Sequence, residues 1–423
     1  MTLGAAAQPV RRPPGIRVVL DARPLQDPGR APVTAAYLGS LLEAYDAAPL
    51  PGESFAFLLG SDLDDPTEGL TGLKVIGRRL LPPTKLLRSA AQTVDPFVLR
   101  GASLGAAWRA ERGGARGAVY HAVGAGTLPI ASGLPLVVTI LDLAPWELRT
   151  AFGGGTATRF GQRLRHRLLR GAAAVIVGTD AVATAVRRLL HVRPERIHVV
   201  PIGPRAAFNE PAGHPADGPA DGVDDAARLG LASRYLVYPG RYDARQDLAT
   251  LLAALAALAA AGRPADFSPD TPWPPRVVLV GASPADRASL ARQAAREGVG
   301  EALAYAPALS DARSAALLRG ARAALLPVRS DAVGLAAVEA IATGTPVVAS
   351  AVGALPELVG AAGLLVPPRD VDRLAIALRT VWADDEVHAR IAVAARERAA
   401  VGWPTWTEVA EATRRVYAAV GRG

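Results

Sequence analysis

Two acidic residues eight positions apart, Asp331 and Glu339, enclose the run Ala-Val-Gly-Leu-Ala-Ala-Val and are followed by Gly344-Thr-Pro-Val-Val. The apolar run Ala323 to Leu326 precedes them. The pattern therefore predicts a strand, a loop at Gly334, a helix from about Leu335 and a further strand at Pro346 to Ala349. Such a loop offers backbone N–H groups and the positive end of a helix to an anion at the carboxyl edge of a sheet. Glu339 stands among Ala337, Val338, Ala340 and Ile341, an unusual setting for a carboxylate. A second group lies in Tyr238-Pro-Gly-Arg-Tyr-Asp-Ala-Arg-Gln-Asp-Leu248, where Arg241 and Arg245 follow a strand and a glycine turn. Arginine stays charged at any relevant pH and grips phosphate through two parallel hydrogen bonds. These residues suit the holding of a phosphorylated ligand.

The elements that must position them repeat along the chain. Short apolar runs alternate with long helical segments, the pattern of a parallel sheet covered by helices on both faces. In the first half the expected strands are 16–20, 55–59, 119–121, 136–140, 175–177 and 198–200; in the second they are 235–238, 276–280, 303–306, 323–326, 346–349 and 364–366. A length of 423 residues suits two domains of roughly 200 residues each. The expected class is α/β, with two tandem Rossmann-like, doubly wound domains and a cleft between them. The expected division is a first domain over 16–204, a Pro/Gly/Asp-rich linker over 205–232, a second domain over 233–400 and a terminal segment over 401–423. Leu248 to Ala261 carries leucines at helical spacing and is too short to span a bilayer, so a buried amphipathic helix is expected there.

Composition narrows the chemistry. The chain has no cysteine, which excludes disulfides, thiolate metal sites and a cysteine nucleophile. Its six histidines form no close helical pair, and Asp62-Leu-Asp64 reads as a loop cap, so no metal is expected. No Walker loop, Gly-x-Ser-x-Gly elbow or complete dinucleotide fingerprint is present. The net charge of +8 is spread along the chain without aromatic interleaving, which speaks against nucleic acid. The densest basic cluster, Arg159, Arg163, Arg165, His166, Arg167 and Arg170, suits a solvated helix face or a contact with anionic lipid. Met1 to Gly15 holds no apolar stretch of the signal-peptide kind. The expected location is therefore the cytoplasm, including the inner face of the membrane.

The acidic pair around Gly334-Leu335 with the Gly-Thr-Pro-Val-Val strand closely resembles the signature of retaining family-4 glycosyltransferases of the GT-B fold. Gly240-Arg241 with Arg245 resembles their phosphate-holding segment, and Val18-Val-Leu-Asp-Ala-Arg23, Val119-Tyr-His121 and Val175-Ile-Val-Gly-Thr-Asp180 fall where that family has matching strands. The resemblance implies transfer of a hexose from a nucleotide diphosphate sugar to a glycan or lipid-linked acceptor, with retention of configuration and no metal or other cofactor. Its mannosyltransferase-like segments point to GDP-mannose, with a UDP-hexose as the other donor. It implies that Asp331 faces the donor sugar, that Val333, Gly334 and Leu335 lie beside the diphosphate, that Glu339 accepts from the ribose and that Arg241 and Arg245 stabilise the leaving group. His121 and Asp142 are expected at the cleft, and the helix over 406–420 is expected to cross back to the first domain.

Four positions depart from that pattern. Leu141 stands for the usual His, Gln246 for a Lys, Asp331 for a Glu, and the segment Gly29 to Tyr37 for a glycine-rich turn. They motivate an alternative expectation, a weak or inactive paralogue serving as a binding or scaffold protein in polysaccharide assembly.

Overall fold

The computed structural model describes residues 16–81, 117–129, 133–209, 234–265 and 267–421. Among the described residues thirteen strands form two sheets. The first holds β1 (Arg17–Asp21), β2 (Ser54–Gly60), β3 (Val75–Leu81), β4 (Ala118–Val123), β5 (Leu136–Thr139), β6 (Ala174–Val177) and β7 (Ile197–Val199), in the order β3-β2-β1-β4-β5-β6-β7. The second holds β8 (Leu236–Tyr238), β9 (Val277–Val280), β10 (Leu303–Ala306), β11 (Ala323–Leu326), β12 (Val347–Ser350) and β13 (Gly363–Val366), in the order β10-β9-β8-β11-β12-β13. Every pairing is parallel. Strands covered on both faces are continuous apolar runs, which is why most of them are visible in the sequence. The unexpected one, β3, is an edge strand with Gly77, Arg78 and Arg79 exposed, so it has no such run.

Each sheet has one place where the chain reverses its direction of winding: between β1 and β4 in the first, and between β8 and β11 in the second. The loops leaving neighbouring strands diverge there, opening a crevice at the carboxyl edge.

The helices that matter for the site are α1 (Pro32–Ala47), α2 (Thr156–Gly171), α3 (Asp180–Leu190), α4 (Leu248–Ala261), α5 (Asp311–Arg319), α6 (Leu335–Ala342) and α7 (Trp406–Val420). In the segment Gly29 to Tyr37, which departs from the family's glycine-rich turn, Pro32 starts α1, where its missing N–H and fixed φ do no harm. Leu251, Leu252, Leu255 and Leu258 of α4 are buried against the second sheet. Among the described residues no helix is long and apolar enough to cross a membrane.

Helix α7 starts with a capping box, in which Thr405 and Glu408 satisfy each other's backbone N–H groups, a feature worth about 1 kcal/mol. It lies on the first sheet, where Val409, Ala410, Val416 and Tyr417 share a core with Val18, Tyr37 and Tyr45. Inside that contact Arg414 grips Glu53 with both arms, Nε to Oε1 at 3.0 Å and NH2 to Oε2 at 2.7 Å.

The chain passes between the two cores twice. Outbound, Ile202 belongs to the first core and Phe208 to the second. On the return, Trp403 packs in the second core and Trp406 against the first. The crossings touch: Trp406 Nε1 donates to the Pro204 carbonyl at 3.0 Å, and a Cβ on Gly203 would lie 1.9 Å from the Pro404 carbonyl oxygen. The expected linker therefore opens with a helical turn, Ala206–Asn209, already seated on the second domain, while 210–232 lies outside the described residues, as does the segment 1–15.

Candidate functional site

The crevice between β8 and β11 gathers the residues that the sequence singles out. After β8 the backbone turns sharply through Gly240, φ 103°, and Arg241, φ 76°, the latter one of the few left-handed residues that are not glycine. The turn aims two arginines. Arg241 NH2 meets Asp243 Oδ2 at 3.1 Å, and Arg245 NH1 meets the same oxygen at 2.7 Å. Arg245 also spans the cleft: its Nε donates to Asp142 Oδ1 at 3.1 Å, its NH2 contacts Asp142 Oδ2, and its guanidinium lies 5.1 Å from the Phe152 ring. Two residues chosen separately from the sequence, Asp142 and Arg245, are thus direct partners. Gln246 lies beside them, its Oε1 3.0 Å from the Tyr238 hydroxyl, and brings no charge.

On the other side of the crevice, Gly334 adopts φ 69° and α6 begins at the next residue. A Cβ on Gly334 would lie 2.3 Å from the Leu358 side chain, so glycine is required by space as well as by φ. Asp331 folds back on this loop. Its Oδ1 accepts from Val333 N at 2.9 Å and from Gly334 N at 2.7 Å, so the two N–H groups expected to face a diphosphate are held by the chain's own carboxylate. Leu141 is buried and shares the first-domain core with Val333 and Leu335, which gives this part of the cleft an apolar floor.

Glu339 is buried, and it has a partner that the sequence reading overlooked. Arg205 Nε donates to Glu339 Oε1 at 2.6 Å, Arg205 NH2 donates to Oε2 at 3.1 Å, and Arg205 NH1 pairs with Asp311 of α5. The guanidinium lies 5.0 Å from the ring centre of Phe208. Burial raises the Glu339 carboxyl above its ordinary value, and Arg205 offsets part of that rise without cancelling it. Arg205 was invisible in the sequence because it falls in the expected linker and its partners lie 106 and 134 positions away.

Further contacts join the domains beside this site. Ser330 donates to Glu147, whose carboxyl burial pushes above the usual range. Glu357 accepts from Ala181 N at 3.0 Å and Asp180 N at 3.3 Å, capping the first turn of α3 from the opposite domain.

His121 requires a correction. Expected at the cleft at the end of a strand, it lies inside β4, which runs on to Val123, and it is fully buried. Its Nδ1 is 2.7 Å from the Tyr417 hydroxyl and its Nε2 is 2.8 Å from Thr139 Oγ1. Burial lowers its pKa to about 3, so it is neutral near pH 7. It is a core residue that ties β4 to α7.

Two doubly wound sheets facing each other across a cleft, with arginines and a helix start at the crevice of the second, define the GT-B architecture. The family model described as glycosyl transferases group 1 matches residues 233–384, and that of the glycosyl transferase 4-like domain matches 34–203. A D-inositol 3-phosphate glycosyltransferase of Jonesia denitrificans is 30% identical over 258 residues, 60% of this chain and 58% of its own. An MMP alpha-(1->4)-mannosyltransferase of Mycolicibacterium hassiacum is 40% identical over 123 residues, 28% of this chain and 30% of its own. The matched stretch thus spans less than two thirds of each of these relatives. Among solved structures, a sucrose-phosphate synthase of Thermosynechococcus elongatus superposes with a TM-score of 0.70 at 22% identity, covering 95% of this chain and 98% of that one. The chain belongs to the group 1 glycosyl transferases of the GT-B fold.

Proposed function

We propose that the protein transfers a hexose from a nucleotide diphosphate sugar to a glycan or lipid-linked acceptor, with retention of configuration and without a metal or other cofactor. Mannose carried by GDP is the donor that the sequence favours, with a UDP-hexose as the other. The observation that carries the reading is the placing of Arg241, Arg245 and the start of α6 on the two sides of the β8/β11 crevice.

Negative charge grows on the diphosphate as the C1–O bond breaks, and fixed positive groups aimed at that point lower the barrier. Arg241 and Arg245 supply them. Both now rest on Asp243, a contact in which all three side chains are 20 to 40% exposed. Exchanging such a half-solvated carboxylate for a phosphate costs little. Asp331 faces the donor sugar, Val333 to Leu335 lie along the diphosphate, and Glu339 accepts from the ribose. Outside the cleft, α2 exposes Phe160 among Arg159, Arg163, Arg167 and Arg170, a surface suited to anionic lipid at the cytoplasmic face, where a lipid-linked acceptor would sit.

Calorimetric titration with UDP, GDP and their sugar conjugates tests the reading. Micromolar binding is expected for the wild type, with at least a tenfold loss (about 1.4 kcal/mol) in Arg241→Ala and in Glu339→Ala. Absence of binding by every nucleotide overturns it.

A second reading, a scaffold protein without turnover, is favoured by one observation: Asp331 occupies the N–H groups of Val333 and Gly334. Donor hydrolysis in the same samples separates the two readings, because the scaffold binds nucleotide and leaves the donor intact.

A further inference from the structure

A buried carboxylate is a poor anion by itself, and Glu339 is 6% exposed among Val338, Ala340 and Ile341. Apart from Arg205 and Ser314, the pocket beside it is walled by apolar side chains, among them Phe208, Pro239, Val280, Leu317 and Ala336. The charged groups that face it are Arg205, from the segment after β7, and Asp311, from α5. Asp311 opposes ionisation of Glu339 and Arg205 supports it.

Arg205 is held for this task from both sides. Phe208, three residues on, is buried in the second core, and Arg319 NH2 of α5 donates to the Ala207 carbonyl at 3.0 Å, which fixes the turn that carries Arg205. The side-on contact of Nε and NH2 with both carboxylate oxygens fixes the plane of the carboxylate as well as its charge. A carboxylate has about four lone-pair sites, so with one taken on each oxygen the other two remain available to hydroxyl donors.

Resting on the donor reading above, we infer that Arg205 is a positioning residue for the nucleoside part of the donor: it keeps Glu339 ionised and in plane, so that Glu339 can accept from ribose hydroxyls. Its effect passes through Glu339, and its loss has a signature that mere damage to the pocket lacks. Without Arg205 the Glu339 carboxyl takes up a proton at higher pH. A protonated carboxyl is a poor acceptor, so the affinity lost at low pH returns as pH rises.

The test is calorimetric titration with UDP and GDP from pH 6 to pH 9, using the wild type, Arg205→Met, Arg205→Lys and Glu339→Gln. The wild type sets the reference profile over that range, which includes the second ionisation of the nucleotide's own terminal phosphate at about pH 6. Relative to the wild type, Arg205→Met should lose roughly tenfold more affinity at pH 6 than at pH 9, the effect of one unit of carboxyl titration. Arg205→Lys, which keeps the charge and loses the fork, should follow the wild-type profile at lower affinity, and Glu339→Gln should be weak at every pH. A wild-type affinity and profile in Arg205→Met overturns the inference and leaves the donor reading standing. So does a loss of equal size at every pH, which assigns Arg205 to pocket shape alone. Failure of the wild type to bind either nucleotide overturns the donor reading and the inference with it. Carbon-13 titration of the Glu339 carboxyl in nucleotide-free protein gives an independent check, since its midpoint must move upward in Arg205→Met. An unmoved midpoint overturns the charge role whatever the nucleotides do.

Discussion

Arg414 and Arg245 each hold a carboxylate from a distant part of the chain, yet the two pairs serve different ends. Arg414 and Glu53 are 5% and 3% exposed, under α7, whereas Arg245 and Asp142 are 20% and 30% exposed, at the cleft. The first pair has no access to a competing ion and fastens the terminal helix to the first sheet. The second is partly open to water, and on the donor reading proposed above a phosphate competes with Asp142 and Asp243 for Arg245. Burial, rather than residue type, separates a structural ion pair from one that a ligand can exchange.

The sharpest way to break this contrast is to remove one partner on each side. Arg414→Ala leaves Glu53 enclosed without its partner and should cost about 3–5 kcal/mol in urea unfolding. Arg245→Ala should cost under about 1 kcal/mol in the same measurement. Equal costs would show that the cleft pair is structural as well.

Acid provides the next test. The folded pKa of His121, about 3, lies below its ordinary value of 6.5, so its contribution is fully present above pH 6.5 and is lost as pH falls from there towards 3. Between pH 7 and pH 5 this amounts to about 2 kcal/mol. Unfolding of the wild type should therefore lose about 2 kcal/mol more over that interval than unfolding of His121→Asn. An equal loss would show that another group governs the acid response of the α7 contact.

The smallest expected effect sharpens the cleft side. Asp142→Asn weakens the hold on Arg245 and should shift stability by less than about 1 kcal/mol while tightening UDP or GDP binding a few-fold. Weaker nucleotide binding in this variant would mean that Asp142 orients Arg245 rather than competing for it.

What the sequence discloses follows the same division between local and distant contacts. The strands were legible because burial on both faces leaves an uninterrupted apolar run, and β3 was missed because its outer edge faces solvent. Gly334 and Glu339 were legible because a glycine between a strand and a helix, and an acid among apolar neighbours on that helix, are local oddities. Arg205 was not, since nothing within ten residues of it betrays Asp311 or Glu339. His121 was misplaced for a related reason: its environment is made by Tyr417, 296 positions later, and no reading of β4 alone supplies that neighbour. Asp331 was singled out by its type and spacing, but not its side-chain hold on the N–H groups of Val333 and Gly334, a turn made two and three residues along the chain.

The touching crossings at Gly203 and Pro404 have a mechanical consequence. Two crossings set well apart would confine the sheets to rotation about the line that joins them. Crossings pressed together, with the Trp406 indole clipped to the Pro204 carbonyl and no room for even a methyl group at Gly203, form one joint instead of two. Arg205 stands one residue beyond that joint and is held on the second domain's side of it by Glu339 and Asp311.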